Sequence, residues 1–384
     1  MTTPVYLDYN ATTPVDPEVV QAMLPFLHEA FGNPSSSHGF GARARQAVDE
    51  ARTQVAALIG CAPAQLTFTG CATEANNLAL LGVARAAARS GRRHLVVSAV
   101  EHPAVLEPAR ALEREGWRLT VLPVDRHGRV SADDVAAALA PDTALVSVMH
   151  ANNEVGTVQP IAEIAAITRA RCIALHCDAA QSAGKIALDV DALGVDLLTL
   201  AGHKFYATKG IGALYVRPGT AIEPVLFGAD QEQGLRPGTE NLPAIVGLGE
   251  AARLAALRLP EATQRLRALR DDLHARLEAA VPGLALNGHS EHRLPNTLHV
   301  SFPRVSGREL LRRAQDEVAA SVGSACHSEH DAVSGVLAAM GLDAARAMGA
   351  VRLSVGWMTT PEEIGRAAEA LLAAWRALAL HPSY

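Results

Sequence analysis

Between residues 66 and 216 the chain repeats one pattern seven times: a run of four or five mostly apolar residues, then a helical stretch or a turn. The runs are 66–69, 94–98, 119–122, 145–149, 173–176, 197–200 and 212–216. Runs this short and this apolar read as strands covered on both faces. Strands that alternate with helices predict an α/β fold around a largely parallel sheet. Before them, Asp16-Pro17 is a helix start that Pro25 interrupts, and a helix over 38–58 stops at Gly60. After residue 257 the pattern predicts a charged amphipathic helix at 261–280 bridging two domains, strands near 298–302 and 350–355, and a last helix at 361–378.

A chain of 384 residues exceeds the usual size of one domain. The expected division is a large domain over 15–256 and a small α/β domain built from 1–14 with 257–384. Hydrophobic residues make up 49% and charged ones 19%, enough for two packed cores. The net charge of -6 gives no footprint for nucleic acid. No apolar stretch is long enough for a bilayer and the start carries no basic-then-apolar leader, so a cytoplasmic location is expected. The five cysteines lack paired metal-finger spacing and read as free thiols.

In open α/β sheets ligands bind at the carboxyl ends of strands, and the chemically informative residues follow the apolar runs. Run 197–200 delivers Gly202-His203-Lys204. A lysine there is either a surface residue just past a strand or a desolvated amine, nucleophilic near neutral pH, that condenses with an aldehyde. After 66–69, Ala72 and Thr73 open a helix whose free N–H groups suit a phosphate. After 94–98 comes Glu101-His102, where a histidine can stack on a planar ring or serve as a structural group. After 145–149, Asn153 lies in a polar turn. After 173–176 come Asp178 and Gln181, and an aspartate in a crevice calls for a cation such as a protonated pyridine nitrogen.

Together these residues make the parts of a pyridoxal phosphate site, and the chain resembles the cysteine desulfurases, class V relatives of the aminotransferases with the fold-type I architecture. The likeness covers nearly all of it. It rests on Tyr6-Leu-Asp-Tyr-Asn-Ala-Thr-Thr-Pro14, Gly32-Asn-Pro-Ser-Ser36, Glu101-His102, Ala151-Asn-Asn-Glu-Val-Gly156, Asp178-Ala-Ala-Gln181, Gly202-His-Lys204, Arg236-Pro-Gly-Thr239, Gly323-Ser-Ala-Cys326 and Val351-Arg352-Leu-Ser. The resemblance implies that Lys204 carries the pyridoxal phosphate, Asp178 pairs its ring nitrogen, Gln181 meets its ring oxygen and His102 stacks on it. It implies that Ala72, Thr73 and His203 hold the phosphate, joined by Thr239 from the second subunit of a homodimer. Asn153 and Arg352 would fix the substrate carboxylate.

Cys326, in a stretch that reads as a mobile loop, would take sulfur from L-cysteine as a persulfide. His327 or His330, if protonated, would favour its thiolate. L-alanine would leave, and the sulfur would pass to an acceptor protein, as in iron–sulfur cluster assembly. The chain departs from the family's usual residues at Ala75, Ala201, Ala207-Thr208 and Ala229-Asp230, which bears on cofactor affinity. Arg236–Asn241 and Ala325-Cys-His-Ser328 are more similar to selenocysteine lyases, so release of selenium from L-selenocysteine is the alternative expectation. A zinc hydrolase or metal-binding protein using Cys326, His327, His330 and 176–178 is a third. It leaves Lys204 and Arg352 unexplained.

Overall fold

The structure is a computed structural model and describes residues 3–323 and 334–379. Among these residues there are twelve strands: β1 (Val5–Tyr6), β2 (Leu66–Thr69), β3 (His94–Ser98), β4 (Arg118–Leu122), β5 (Thr143–Ser147), β6 (Ala174–Asp178), β7 (Leu197–Ala201), β8 (Gly212–Val216), β9 (Ala285–Leu286), β10 (Thr297–Ser301), β11 (Val318–Ala319) and β12 (Ala350–Ser354). Seven form one sheet in the order β2-β8-β7-β6-β5-β3-β4. Only β8 runs against its neighbours in that sheet. It returns after a single turn from β7, where no crossover helix intervenes to make it parallel. The fold is therefore the expected α/β architecture with a mostly parallel sheet.

The apolar runs locate all seven strands, with small shifts. Residues 148 and 149 fall outside β5, although Val148 and His150 still donate to His176 and Asp178 of β6. Asp178 is the last residue of β6 rather than two residues beyond the run at 173–176. Strand succession reverses between β3 and β5, and such a reversal opens a crevice at the strand ends. The two early helices, Pro17–Met23 and Pro25–His28, divide at the expected proline. The Gly39–Ile59 helix ends on Gly60 at φ 70°, a left-handed conformation that suits glycine.

A second core gathers Val5 and Leu7 with Leu298, Val300, Phe302, Val351 and Leu353. It is built on the sheet β12-β10-β9 and the pair β1-β11. The helix expected at 261–280 is one element from Leu242 to Ala280, 39 residues long with Pro260 inside it. A proline deletes one backbone hydrogen bond and usually ends a helix. Here Ile245, Leu248 and Ala252 are buried in the large-sheet core, and Leu266, Leu269, Leu273 and Leu277 in the second core. Burial on both sides of the proline outweighs the lost bond, so the expected boundary at 256–257 falls within a continuous helix.

Candidate active site

A cavity of about 240 Å³ opens at the carboxyl ends of β6 and β7. Lys204 reaches it from the single turn Gly202–Lys204 that follows β7. Its Nζ donates to the carbonyl oxygens of Asn10 and Ala11, each at 2.7 Å. Those carbonyls belong to the segment that enters from β1. Thr13 anchors this segment, its N–H bonding the His203 carbonyl at 3.0 Å and its hydroxyl accepting from Tyr206 N. The lysine amine is thus held by backbone far away in the chain.

Asp178 is 6% exposed and lines the cavity. Its Oδ2 accepts from Asn76 Nδ2 at 2.7 Å and its Oδ1 from Ala180 N at 2.9 Å. Neither donor carries charge, and no salt bridge of Asp178 occurs among the described residues. A buried carboxylate in that state favours a cationic partner in the cavity, which is what a protonated pyridine nitrogen supplies. Asn76 went unnoticed in the sequence, where it reads as one more polar residue of a helix start.

The Ala72–Ala88 helix begins at the cavity, and no side chain caps it. Its free N–H groups and positive end therefore face the open space beside Thr73, a fit for phosphate oxygens. Gly212 of β8 passes directly beneath: a Cβ there would stand 2.8 Å from Cys71 C and 3.0 Å from Ala72 N. His203 also lines the cavity. Burial, with Lys204 and other lysines adding to it, holds this imidazole down to about 4, so it is neutral at ordinary pH.

His102 faces the same space as the cap of the Pro103–Arg114 helix, its Nδ1 accepting from Ala104 N at 3.1 Å. Burial holds it below the usual histidine range, with Lys204 adding to the effect and Asp178 opposing it. The neutral ring then carries its proton on Nε2. Beside it, Glu101 is fully enclosed. Ser98 Oγ and Met149 N both donate to Oε1, at 2.5 and 2.7 Å, and Oε2 has no partner. Burial pushes this carboxyl up to about 8.

Asn153 and Arg352 also line the cavity. Arg352, 2% exposed, donates from Nη1 to the Asn153 carbonyl at 2.9 Å and from Nη2 to Asp8 Oδ1 at 2.7 Å. Asn10 links the walls: its Nδ2 bonds Thr297 Oγ1 and the Asn153 carbonyl, and its Oδ1 accepts from Asn296. Asp8 and Asn10 lie in the Tyr6–Pro14 stretch that carries the resemblance, but the sequence marks no role for either, because their partners lie far along the chain. Gln181 donates from Nε2 to the Asn10 carbonyl at 2.9 Å.

The cavity thus brings together Ala72, Thr73, His102, Asn153, Asp178, Gln181, His203, Lys204 and Arg352. It does not include Thr239, which is exposed. Arg236, three residues earlier, is tied to Glu74 at 2.7 Å. Cys326, His327 and His330 lie outside the described residues. Gly323 and Ser334, on either side of that segment, both sit at Glu154, with Ser334 Oγ donating to Oε2 at 2.5 Å. Cys172 is exposed and Cys177 buried. His176 gives both ring nitrogens to hydroxyls, Ser147 at 2.8 Å and Thr199 at 3.1 Å, so it is not presented as a metal ligand.

The family model for aminotransferase class-V matches residues 5–366. The cysteine desulfurase IscS of Dictyoglomus turgidum is 47% identical over 361 residues, 94% of this chain and 91% of that protein. Cysteine desulfurase IscS 1 of Archaeoglobus fulgidus is 45% identical over 370 residues, 95% of each. Among solved structures, a NifS-like protein superimposes with a TM-score of 0.90 at 37% identity, covering 96% of this chain and 98% of that one. A structure described as SspA in complex with cysteine gives 0.81 at 36%, covering 92% and 99%.

Proposed function

Because the chain belongs to the aminotransferase class-V family and acts as a cysteine desulfurase, we propose that it binds pyridoxal phosphate in the cavity at Lys204 and moves sulfur from L-cysteine to Cys326. The observation that supports this reading is the convergence on one cavity of a lysine amine, a buried aspartate with no cation beside it among the described residues, an uncapped helix start and a buried arginine. Lys204 would bear the cofactor, Asp178 would hold its ring nitrogen and Gln181 its ring oxygen. His102 would lie against its face, and Ala72, Thr73 and His203 would hold its phosphate. When bound, the cofactor supplies an aldehyde for exchange with the substrate amine and a ring that withdraws electrons from Cα.

The chain's own groups do the rest. Arg352 and Asn153 orient the substrate carboxylate, which fixes the Cα–H bond relative to Lys204. Released from the cofactor, Lys204 Nζ takes the α-proton. The carbonyls of Asn10 and Ala11, which face Nζ here, accept hydrogen bonds from it once it is charged. Cys326 Sγ attacks the substrate sulfur: an S–S bond forms as the Cβ–S bond breaks, the bonding pair stays with Cβ, which takes a proton, and Lys204 returns a proton to Cα so that L-alanine leaves. Cys326 lies outside the described residues, three positions beyond Gly323, which sits beside Glu154, next to Asn153. The persulfide then passes its outer sulfur to an acceptor protein. A second copy of the chain would complete each site with Thr239.

The test measures alanine release from L-cysteine and from L-selenocysteine in parallel, together with sulfur retained on the protein. Wild-type protein should release alanine from L-cysteine and hold labile sulfur on Cys326. Lys204→Ala should do neither and lose the visible absorption of lysine-bound cofactor. Cys326→Ala should keep that absorption and lose cysteine turnover. Full cysteine turnover by Cys326→Ala would replace the persulfide route with direct elimination.

A further inference from the structure

Lys185, seven residues beyond Asp178, took no part in the reading of the sequence, yet it is 6% exposed and bonded to Gln181, which lines the site. Lysine is seldom buried without a partner. Burial pushes its amine well below the ordinary lysine range, and the charges that add to this, Lys204 and Arg352, are both positive. Its one hydrogen bond among the described residues runs from Nζ to Gln181 Oε1 at 2.8 Å. The backbone around it is fixed, with its carbonyl accepting from Thr263 Oγ1 of the long helix at 3.0 Å.

A glutamine amide has an acceptor end and a donor end of nearly equal size, and its neighbours decide which faces where. At Gln181 both neighbours agree. Nε2 faces a carbonyl oxygen, that of Asn10, and Oε1 faces an amine. The Asn10 carbonyl also accepts from Lys204 Nζ, so that side alone is a shared and weaker hold. Turning the amide over would set Oε1 against the Asn10 carbonyl, two acceptors, and would leave the Lys185 N–H groups without the acceptor they now have. With the amide held as observed, what Gln181 has left for the cavity it lines is the second N–H of Nε2.

We propose that Lys185 is a positioning residue that holds Gln181 as a hydrogen-bond donor to the ring oxygen of the bound cofactor. The proposal rests on the reading of the cavity as a pyridoxal phosphate site. Its role is to fix which end of an amide the site presents, and it touches neither substrate nor cofactor.

The experiment removes the cofactor from the purified protein and titrates pyridoxal phosphate back into wild type, Lys185→Met, Gln181→Ala and the double variant. A second readout is the pH midpoint of the visible absorption of each loaded protein. Loss of one neutral hydrogen bond predicts a dissociation constant about three- to tenfold higher in Lys185→Met. A donor at the ring oxygen favours its ionised form, so the midpoint should rise by about half a unit when the donor is lost. In the Gln181→Ala background, Lys185→Met should add nothing to either readout. Effects that add across the pair, or wild-type values in Lys185→Met, overturn the proposal. If Lys185→Met does not fold, Gln181→Glu, which has only acceptors to offer when ionised, decides: it should bind the cofactor more weakly than Gln181→Ala, and wild-type affinity would refute a donor role. Failure of the wild-type protein to bind pyridoxal phosphate would instead remove the reading of the cavity itself.

Discussion

Arg352 Nη2 stands 2.7 Å from Asp8 Oδ1 while its Nη1 stands 2.9 Å from the Asn153 carbonyl. The guanidinium is therefore held in plane by two partners at the site that would receive a substrate carboxylate, and its buried Nε has none. A lysine keeps the charge but not the fork. Arg352→Lys should raise KM for L-cysteine about tenfold or more, the loss of ~1.5 to 3 kcal/mol expected for a charge-assisted hydrogen bond. Steady-state kinetics measure this, and an unchanged KM would place carboxylate recognition elsewhere.

Glu101 sets a pH dependence of stability. Its carboxyl, ordinarily near 4.5, is pushed up to about 8 by burial. Between those values the unfolded chain has lost the proton and the folded chain keeps it. The contribution is full below about 4.5 and falls as pH rises, by on the order of 1.4 kcal/mol per pH unit, then levels off above about 8. Glu101→Gln should remove this slope, so that the variant gains on wild type from pH 5 to pH 8 in denaturant titrations. Parallel profiles would mean that Glu101 is ionised in the folded protein.

Gly212 lets β8 pass under the uncapped helix start with a Cβ-free gap, since a methyl group would meet Cys71 C and Leu200 O at 2.8 Å. Gly212→Ala should displace Ala72 and Thr73, costing about 1–3 kcal/mol of stability and weakening pyridoxal phosphate binding more than pyridoxal binding. Thermal unfolding and titration of both compounds into cofactor-free protein report the two effects. Equal weakening for both would detach this helix start from the phosphate.

Thr239 is exposed and absent from the cavity of its own chain, so its proposed service to a second copy is testable by mixing. Lys204→Ala and Thr239→Ala chains, each impaired alone, should regain about a quarter of wild-type activity when unfolded and refolded together in equal amounts. That fraction follows if half of the dimers are mixed and each mixed dimer has one intact site. No recovery, with dimers present by sedimentation, would return Thr239 to an ordinary surface position.

The seven-stranded sheet was legible because each buried strand is a short apolar run set off by turns, as at 66–69 and 212–216. Lys204, Asp178 and Gln181 were legible because they follow such runs. The roles of Asp8, Asn10 and Asn76 were not, although Asp8 and Asn10 stand within the Tyr6–Pro14 stretch. Asp8 and Asn10 act through partners as much as 344 residues away, and Asn76 through one 102 residues away, and nothing in local composition marks a residue whose role is to hold another. Lys185 was hidden for the same reason. The Leu242–Ala280 helix was misjudged at its start because Pro260 is a local stop signal that burial at both ends overrides.

That helix is about 58 Å long at 1.5 Å per residue, and it serves the two cores as a common beam. Neither can be released as a free-standing piece. A cut near residue 256 would leave Val5 and Leu7, which belong to the second core, on the first fragment, and would give the second a helix begun at its own proline. It would also part Lys204 from Arg352, which lie on opposite sides of the cut in sequence and line one cavity. The chain is thus indivisible at the point where its sequence looks most separable, and the same span that joins the cores keeps the two halves of the chemistry in register.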